Sequence, residues 1–515
     1  MDHRAVARAP EGTKAVMLTD AFNGLVQVFQ PVPLMLMLLG VAIGFVVGIL
    51  PGLGGAVTLA LMLPFTYDMQ PVEAFAFLLG MWVVTSTTGD ITSVLFGVPG
   101  EATSAATVLD GHPMTKRGEA GRALGAVLSS SALGAVFGAL VLALSIPVIR
   151  PIVLAFGPPE FFALTVLGLT FVVALSGRRL LKGFVMACLG LLVALVGLDS
   201  QEGVPRYTFD LLYLWDGIGI VPLVVGLFGG AEVLQIMLTR RSIARVDADV
   251  DSGAAALSGV GQGVRDVFRH WALVIRSSAI GTGVGIVPGL GGTVAQFMAY
   301  GAAQQSSKNP EMFGKGSIEG VIAAGAVNNA KDSGSLIPTI GFGIPGGAGS
   351  AVLLSAFLIV GLNPGQEMLT TSLDVTFSMI WVTVLANAIA VAAAFLLLKP
   401  LTRITFVSGP LLVPFLLLLL ALGAYTANNS FADVLVMIGA AAVGVVCIRY
   451  DWPRVPFLLA VVLGSLAERY FFLSHSLFGW TWLTRPIVLV IGAATTLAVL
   501  APMIRRLRSG IQETV

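Results

Sequence analysis

Two ten-residue stretches, GILPGLGGAV (Gly48–Val57) and GIVPGLGGTV (Gly285–Val294), set Gly52, Gly54 and Gly55, and again Gly289, Gly291 and Gly292, directly behind a proline at the end of an apolar run. Pro51 and Pro288 remove a backbone donor and clash with the preceding turn, while the glycines permit positive φ. A helix must break at both places. In hydrocarbon the freed N–H and C=O groups need protein, water or a ligand to take them. In transporters built from inverted repeats, such breaks aim half-helix N-termini at an anionic substrate near the midplane. The chemistry these glycines offer is recognition of a carboxylate by the backbone.

A second pair of breaks follows in the same order in each half: FGVPGEATSA (Phe96–Ala105) and FGIPGGAGSA (Phe342–Ala351). Each comes just after a polar run, TSTTGD (Thr85–Asp90) or NNAKDSGS (Asn328–Ser335), and reads as a hairpin that dips into the membrane and turns at Pro-Gly. Four tips can then converge on one pocket. Charges at membrane depth are functional candidates; here they are Asp90, Glu101, Lys331 and Asp332. The oxygen donors Ser86, Thr87, Thr88, Asp90, Asp332 and Ser333 form the candidate set for a coupling cation. Around the glycine tips, Pro99, Gly100, Thr103, Ser104, Asn328, Asn329, Lys331, Pro345, Gly346 and Ser350 form the candidate set for the carboxylate. Lys331 and Asp332 either lock each other or serve the site separately. Glu160, Glu232, Glu319 and the Glu468–Arg469 pair fall at span ends and read as interfacial. Small residues every four positions (Gly40, Gly44, Gly48, Gly52 and Ser277, Gly281, Gly285, Gly289) mark a helix face made for close packing.

The elements that must carry these residues are membrane spans. Only 11% of the 515 residues are charged and 56% are apolar, against about 25% charged in a soluble domain. Apolar runs long enough to cross a bilayer recur throughout. The net charge of +1 points to no nucleic acid. The two cysteines, Cys188 and Cys447, lie in apolar runs and predict no disulfide. The chain divides into an interfacial N-terminal lead-in (1–30), a first membrane repeat (31–238), a polar cytoplasmic linker (239–270), a second repeat (271–454) and C-terminal spans with a basic tail (455–515). Within the repeats, separate spans are expected at 71–88 and 91–108, and at 316–330 and 335–361, with the polar runs between them.

Loop charge orients the halves. Segment 110–122 carries Lys116, Arg117 and Arg122, and 177–183 carries Arg178, Arg179 and Lys182; both read as cytoplasmic. Their second-half counterparts, 361–374 and 424–431, contain no Lys or Arg, whereas 449–454, the counterpart of acidic 199–210, has Arg449 and Arg454. Related halves with opposite loop charge predict an all-α polytopic membrane protein built as an inverted-topology repeat, with broken helices and re-entrant Pro-Gly hairpins. The N-terminus then falls outside despite Arg4, Arg8 and Lys14.

With these motifs the chain resembles the large membrane subunit of the tripartite tricarboxylate transporters, the TctA family. The resemblance rests on GILPGLGG, VLFGVPGEATSAATVLDGHPMTKRGEAGRALGA, GIVPGLGG, YGAAQQSSKNPEMFGKGSIEGV and LIPTIGFGIPGGAGSAVLLSAFLIVGLNPG, in order over roughly residues 30–440. It implies a secondary transporter of the bacterial inner membrane that is not an enzyme. It also implies two partners, a small membrane subunit and a periplasmic solute-binding protein delivering a carboxylate, and drive by Na⁺ or H⁺ with no other cofactor. Many members of that family carry a glutamate in the run before the paired asparagines, where this chain has Gly325; Asp332 or Asp90 is then the candidate replacement. A passive channel is the main rival reading, since broken helices also line pores. An intramembrane aspartyl protease needs two carboxylates sharing a proton, but its Gly-x-Gly-Asp signature fails at Thr87. No G-x-x-x-x-G-K-[S/T] occurs, which disfavours an ATP-driven pump.

Overall fold

The computed structural model describes residues 11–50, 54–174, 180–199, 203–239, 259–288, 291–404 and 409–498. The chain is an all-α polytopic membrane protein. Six described helices are long and apolar enough to cross a membrane. The first half runs α1 (Glu11–Val28), α2 (Pro31–Gly48), α3 (Gly55–Met62), α4 (Pro71–Phe96), α5 (Ala105–Lys116), α6 (Ala120–Leu154), α7 (Pro158–Ala174) and α8 (Leu180–Ala194). A two-residue antiparallel ribbon (Gly197–Leu198 with Pro205–Arg206) precedes α9 (Ile220–Val224), a π-helical turn (Val225–Gly230) and α10 (Ala231–Thr239). The second half runs α11 (Val260–Arg269), α12 (Trp271–Ile286), α13 (Gly291–Ser306), α14 (Ile318–Phe342), α15 (Ala348–Ile359), α16 (Leu373–Ile404), α17 (Gly409–Asn428), α18 (Phe431–Arg449) and α19 (Arg454–Phe478).

Helix α2 lies on α4 through its glycines: Gly40 meets Phe77, Gly44 meets Met81, and Gly48 meets Thr85 and Thr88. Both numbers rise together, so the helices run parallel. The chain between them must therefore return to its starting level through α3 and the residues that follow it. The second half repeats this, with Gly281 of α12 against Val327 of α14 and Gly285 against Lys331 and Ser335. At Gly48 and Gly285 a methyl group would run into the Thr88 hydroxyl or the Lys331 carbonyl, so these crossings require glycine. Gly52 and Gly289 lie outside the described residues.

The polar runs do not interrupt the helices, contrary to the expected span boundaries. Helix α4 passes unbroken through Thr85–Asp90, and α14 through Asn328–Ser335. The reason is local. Hydroxyls return their hydrogen bonds to the helix's own carbonyls, Thr85 to Trp82 O (2.7 Å), Thr87 to Val83 O (3.1 Å) and Thr88 to Val84 O (2.9 Å), so they do not compete for a different backbone. Each helix ends instead at a left-handed glycine, Gly97 (φ 67°) or Gly343 (φ 68°), the ordinary glycine stop. Beyond it the chain doubles back. Gly100 N donates to Gly89 O at 3.2 Å, and Gly346 lies against Ser335 and the Gly285 carbonyl.

The halves interlock. Helix α6 packs on α14, with Gly134 on Ala326 and Gly138 on Ala330 and Ser333, while α16 packs on α4. Gly325, at the same α6–α14 contact, faces Ser130 and Val127, which leaves no room for a glutamate at that position. In the first turn of α6, Arg122 pairs with Asp266 of α11 at 2.7 Å. In the first turn of α16, Asp374 accepts from Gln27 of α1 at 2.7 Å. The same place in two long helices thus carries opposite charge. Glu468 pairs with Arg206 of the ribbon at 2.9 Å, and Glu160 is fully buried against Arg485 at 2.7 Å; both make ion pairs within the protein.

Candidate functional site

The four tips meet. Gly54 and Gly55 from the first break, Glu101 and Thr103 from the first Pro-Gly turn, Gly292 and Thr293 from the second break, and Gly346–Gly349 from the second turn line one cavity of about 500 Å³. Trp82 of α4 and Lys331, Asp332 and Ser335 of α14 complete its inner wall, and Glu232 and Arg454 close another side. A larger cavity of about 960 Å³ lies beside the ribbon, and its Arg206 and Glu468 are ion-paired to each other. It holds none of the candidate carboxylate or cation residues; Glu468 and Arg469, read as interfacial, line it instead.

Helix α14 brings Lys331 and Asp332 into the cavity wall, where they are 5% and 6% exposed. They pair with each other, Lys331 Nζ donating to Asp332 Oδ1 at 2.8 Å. The second oxygen of Asp332 accepts from Ser86 Oγ of α4 at 2.9 Å. Ser86 and Asp332 lie 246 residues apart, the interval that also separates Gly97 from Gly343 and Gly100 from Gly346. Corresponding positions of the two halves therefore touch at the centre of the molecule. The Lys331 stem passes over Gly292, where an added methyl would strike its Cδ and Cε and the Thr103 methyl. Its ammonium group is thus held at the N-terminal turn of α13.

The first tip is arranged differently. Glu101 Oε2 accepts from Gly55 N, the first N–H of α3, at 3.1 Å. Thr103 donates to the other carboxylate oxygen. A carboxylate on a Pro-Gly-Leu-Gly-Gly backbone is thus already present in the molecule, supplied by the protein itself.

Behind the wall the remaining polar residues separate into distinct groups. Asn328 donates to Asp90 and accepts from Gln296 Nε2 at 2.8 Å. Asn329 and Asn387 both donate to Thr87 Oγ1 at 2.7 Å, and Asn329 also donates to Ser131 at 2.9 Å. Among the described residues, Asp90 Oδ1, Asn329 Oδ1, Asn387 Oδ1 and Ser333 Oγ are buried without a hydrogen-bond partner, a costly state. Oxygens are the ligands that hard cations take. The candidate cation residues therefore divide: Asp332 lines the cavity with Ser86 behind it, Thr87 lies with Asn329 and Asn387, and Asp90 with Asn328. Thr88 bonds only to carbonyls of α4 and α2.

The Pro-Gly turns are built by several of the candidate carboxylate residues. Ser104 accepts from Glu101 N (3.3 Å) and Ser350 from Gly347 N (2.9 Å). Pro99, Gly100 and Pro345 form the bends without lining the cavity, and Gly291 begins α13 beside it. Asn328 and Asn329 sit one layer deeper. Trp82, Thr293, Ser335, Glu232 and Arg454 line the cavity without having been among the candidate site residues; Glu232, read as interfacial, faces it instead. Thr293 and Ser335 adjoin recognisable motifs and could have been added from the sequence. Nothing in the sequence links Glu232 to Arg454.

A family model described as "Tripartite tricarboxylate transporter TctA family" matches residues 34–459. An Agrobacterium vitis protein described as an "Uncharacterized 52.8 kDa protein in TAR-I ttuC' 3'region" is 32% identical over 503 residues, covering 96% of this chain and 98% of its own. A second from the same organism, described as an "Uncharacterized protein in TAR-II ttuC' 3'region", is 32% identical over 190 residues, 37% of this chain and 78% of its own. No solved structure matches.

Proposed function

Because the chain belongs to the tripartite tricarboxylate transporter TctA family, we propose that it is the large transmembrane subunit of a binding-protein-dependent secondary transporter. It imports an organic carboxylate across the bacterial inner membrane. It works with a small membrane subunit and a periplasmic solute-binding protein, and uses a Na⁺ or H⁺ gradient. The halves are inverted in the bilayer, and the cavity between the four tips is the substrate site at its midplane.

One observation carries this reading: the tips of both breaks and both Pro-Gly turns line the same cavity, with Lys331 held over Gly292. Helix N-termini and a cation favour an anion there. The contact between Glu101 and Gly55 N is the internal precedent for a carboxylate in such a seat. In the second half the residue corresponding to Glu101 is Gly347, so that seat is left to the cargo, with Lys331 beside it. The buried oxygens of Asp90, Asn329 and Asn387 are the candidate cation ligands, while Asp332, a further candidate, pairs with Lys331 at the substrate cavity.

The test is uptake into membrane vesicles containing all three subunits, driven by an imposed Na⁺ or proton gradient. Accumulation above the outside concentration, lost when the gradient is dissipated and lost in Lys331→Met, is expected. Equilibration without accumulation under either gradient would favour the passive channel.

A further inference from the structure

Arg454, the first residue of α19, lies far in the sequence from every break yet lines the central cavity. Its guanidinium is firmly held. Nη2 donates to Glu232 Oε1 at 2.8 Å and Nη1 to the Leu227 carbonyl at 3.2 Å, and the Phe228 ring lies 5.1 Å from the guanidinium carbon. Leu227 and Phe228 belong to the π-helical turn, and Glu232 is the second residue of α10, which follows it. Such turns are uncommon and are often found at functional sites. The side chains of Arg454 and Glu232 are 20% and 23% exposed.

These residues have a second address. A cavity of about 340 Å³ lies at the α18–α19 turn, walled by Cys447, Ile448, Asp451, Trp452 and Pro453, and Glu232 and Arg454 are the lining residues it shares with the central cavity. The ion pair is thus the partition between the two spaces. Arginine presents five donors in a planar fork matched to a carboxylate, and here one of its partners is a carboxylate on a different helix.

We infer that Arg454 is a second anion anchor of the substrate cavity, that Glu232 holds it before substrate arrives, and that exchanging Glu232 for a substrate carboxylate opens the partition toward the α18–α19 turn. The inference rests on reading the central cavity as the substrate site. It adds a specificity: two cations, Lys331 and Arg454, each neutralised by the protein's own carboxylate, suit a cargo with at least two carboxylates. A monocarboxylate would release only one of them.

The experiment uses the purified full-length chain and measures its thermal stabilisation by millimolar citrate, succinate or acetate. Wild type should respond to citrate and succinate at lower concentrations than to acetate. Arg454→Gln, and Arg454→Lys as a milder variant that keeps the charge, should lose that preference, with the citrate midpoint rising roughly tenfold or more. Glu232→Gln should lower the citrate midpoint, because the competing carboxylate is gone, and citrate should speed maleimide labelling of Cys447 in a Cys188→Ser background. A structural ion pair predicts otherwise: Glu232→Gln would weaken the response as Arg454→Gln does, and the double variant would restore it. That result overturns the inference. If wild type prefers citrate and Lys331→Gln abolishes the response while Arg454→Gln keeps the preference, this inference fails and the substrate cavity stands. If wild type responds to none of the three, both fall together.

Discussion

The two Pro-Gly-Leu-Gly-Gly tips share a sequence and a setting, but their neighbours differ. At the first, the Glu101 carboxylate rests on Gly55 N, with Trp82 and Thr85 against the same glycine. At the second, the corresponding glycine is Gly292, and Lys331 and Thr103 crowd it. Lys331 stands where the first half has Thr85, and Gly347 stands where it has Glu101. The first tip is therefore an anion site filled by the chain, and the second is an anion site with a cation in attendance. The two tips offer similar backbone frames, and a few residue differences give one of them to the protein and, on the proposed reading, the other to the cargo.

The sharpest way to break this contrast is to make the second tip like the first. Gly347 has an extended backbone (φ −163°, ψ −176°), and a Cβ added there meets nothing within 4 Å. Gly347→Glu should fold, insert and place a carboxylate at the second tip, lowering uptake by roughly tenfold or more. Uptake within twofold of wild type, with normal insertion, would remove the second tip from the substrate site.

Next in size is the glycine itself. Gly292→Ala must displace the Lys331 stem, at 2.5 Å, whereas Gly54→Ala meets only Glu101, no closer than its Cβ at 3.2 Å. Uptake should fall several-fold further in Gly292→Ala than in Gly54→Ala. Equal losses would mean that both tips serve packing alone.

The Lys331–Asp332 pair sharpens the comparison further. Asp332→Asn keeps the shape and removes a buried charge, so uptake should need more cation while solute capture by the periplasmic partner is unchanged. Lys331→Met should abolish uptake, and adding Asp332→Asn should not restore it. Recovery of gradient-driven uptake in the double variant would reduce the pair to mutual neutralisation.

The smallest perturbation tests the inversion. Lys116, at the end of α5, and Thr371 are exposed in the segments 110–122 and 361–374. Lys116→Cys and Thr371→Cys, each in a background lacking Cys188 and Cys447, should leave uptake nearly unchanged. An impermeant maleimide applied outside should label the position at 371 and spare that at 116. Labelling of both from one side would contradict the inverted arrangement.

Much of the molecule was legible in the chain, though unevenly. The breaks at Pro51 and Pro288 and the turns after Phe96 and Phe342 follow from proline and glycine at fixed spacing. The small-residue stripe Gly40-Gly44-Gly48 predicts the close crossing that α2 makes on α4. The polar runs misled, because Thr85–Asp90 has the composition of a loop but sits inside a helix whose hydroxyls bond back to its own carbonyls. Candidate residues were recognised as a group, but their division was not. Asp90, Thr87 and Asp332 belong to three separate hydrogen-bonded sets, each completed by a residue from another helix.

By itself the sequence determined the solvent, the helical class, the breaks and their repetition, because hydrophobicity and backbone preference act over a few residues. Only the tertiary structure decided that Glu101 seats on Gly55, that Ser86 reaches Asp332 across 246 residues, and that Arg454 finds Glu232 across 222. Those pairings depend on the rotation and register at which helices of different halves pack. That register is set by side-chain volume at crossings such as Gly48 on Thr85 and Gly285 on Lys331, and periodicity within one segment carries no record of what the opposing segment presents.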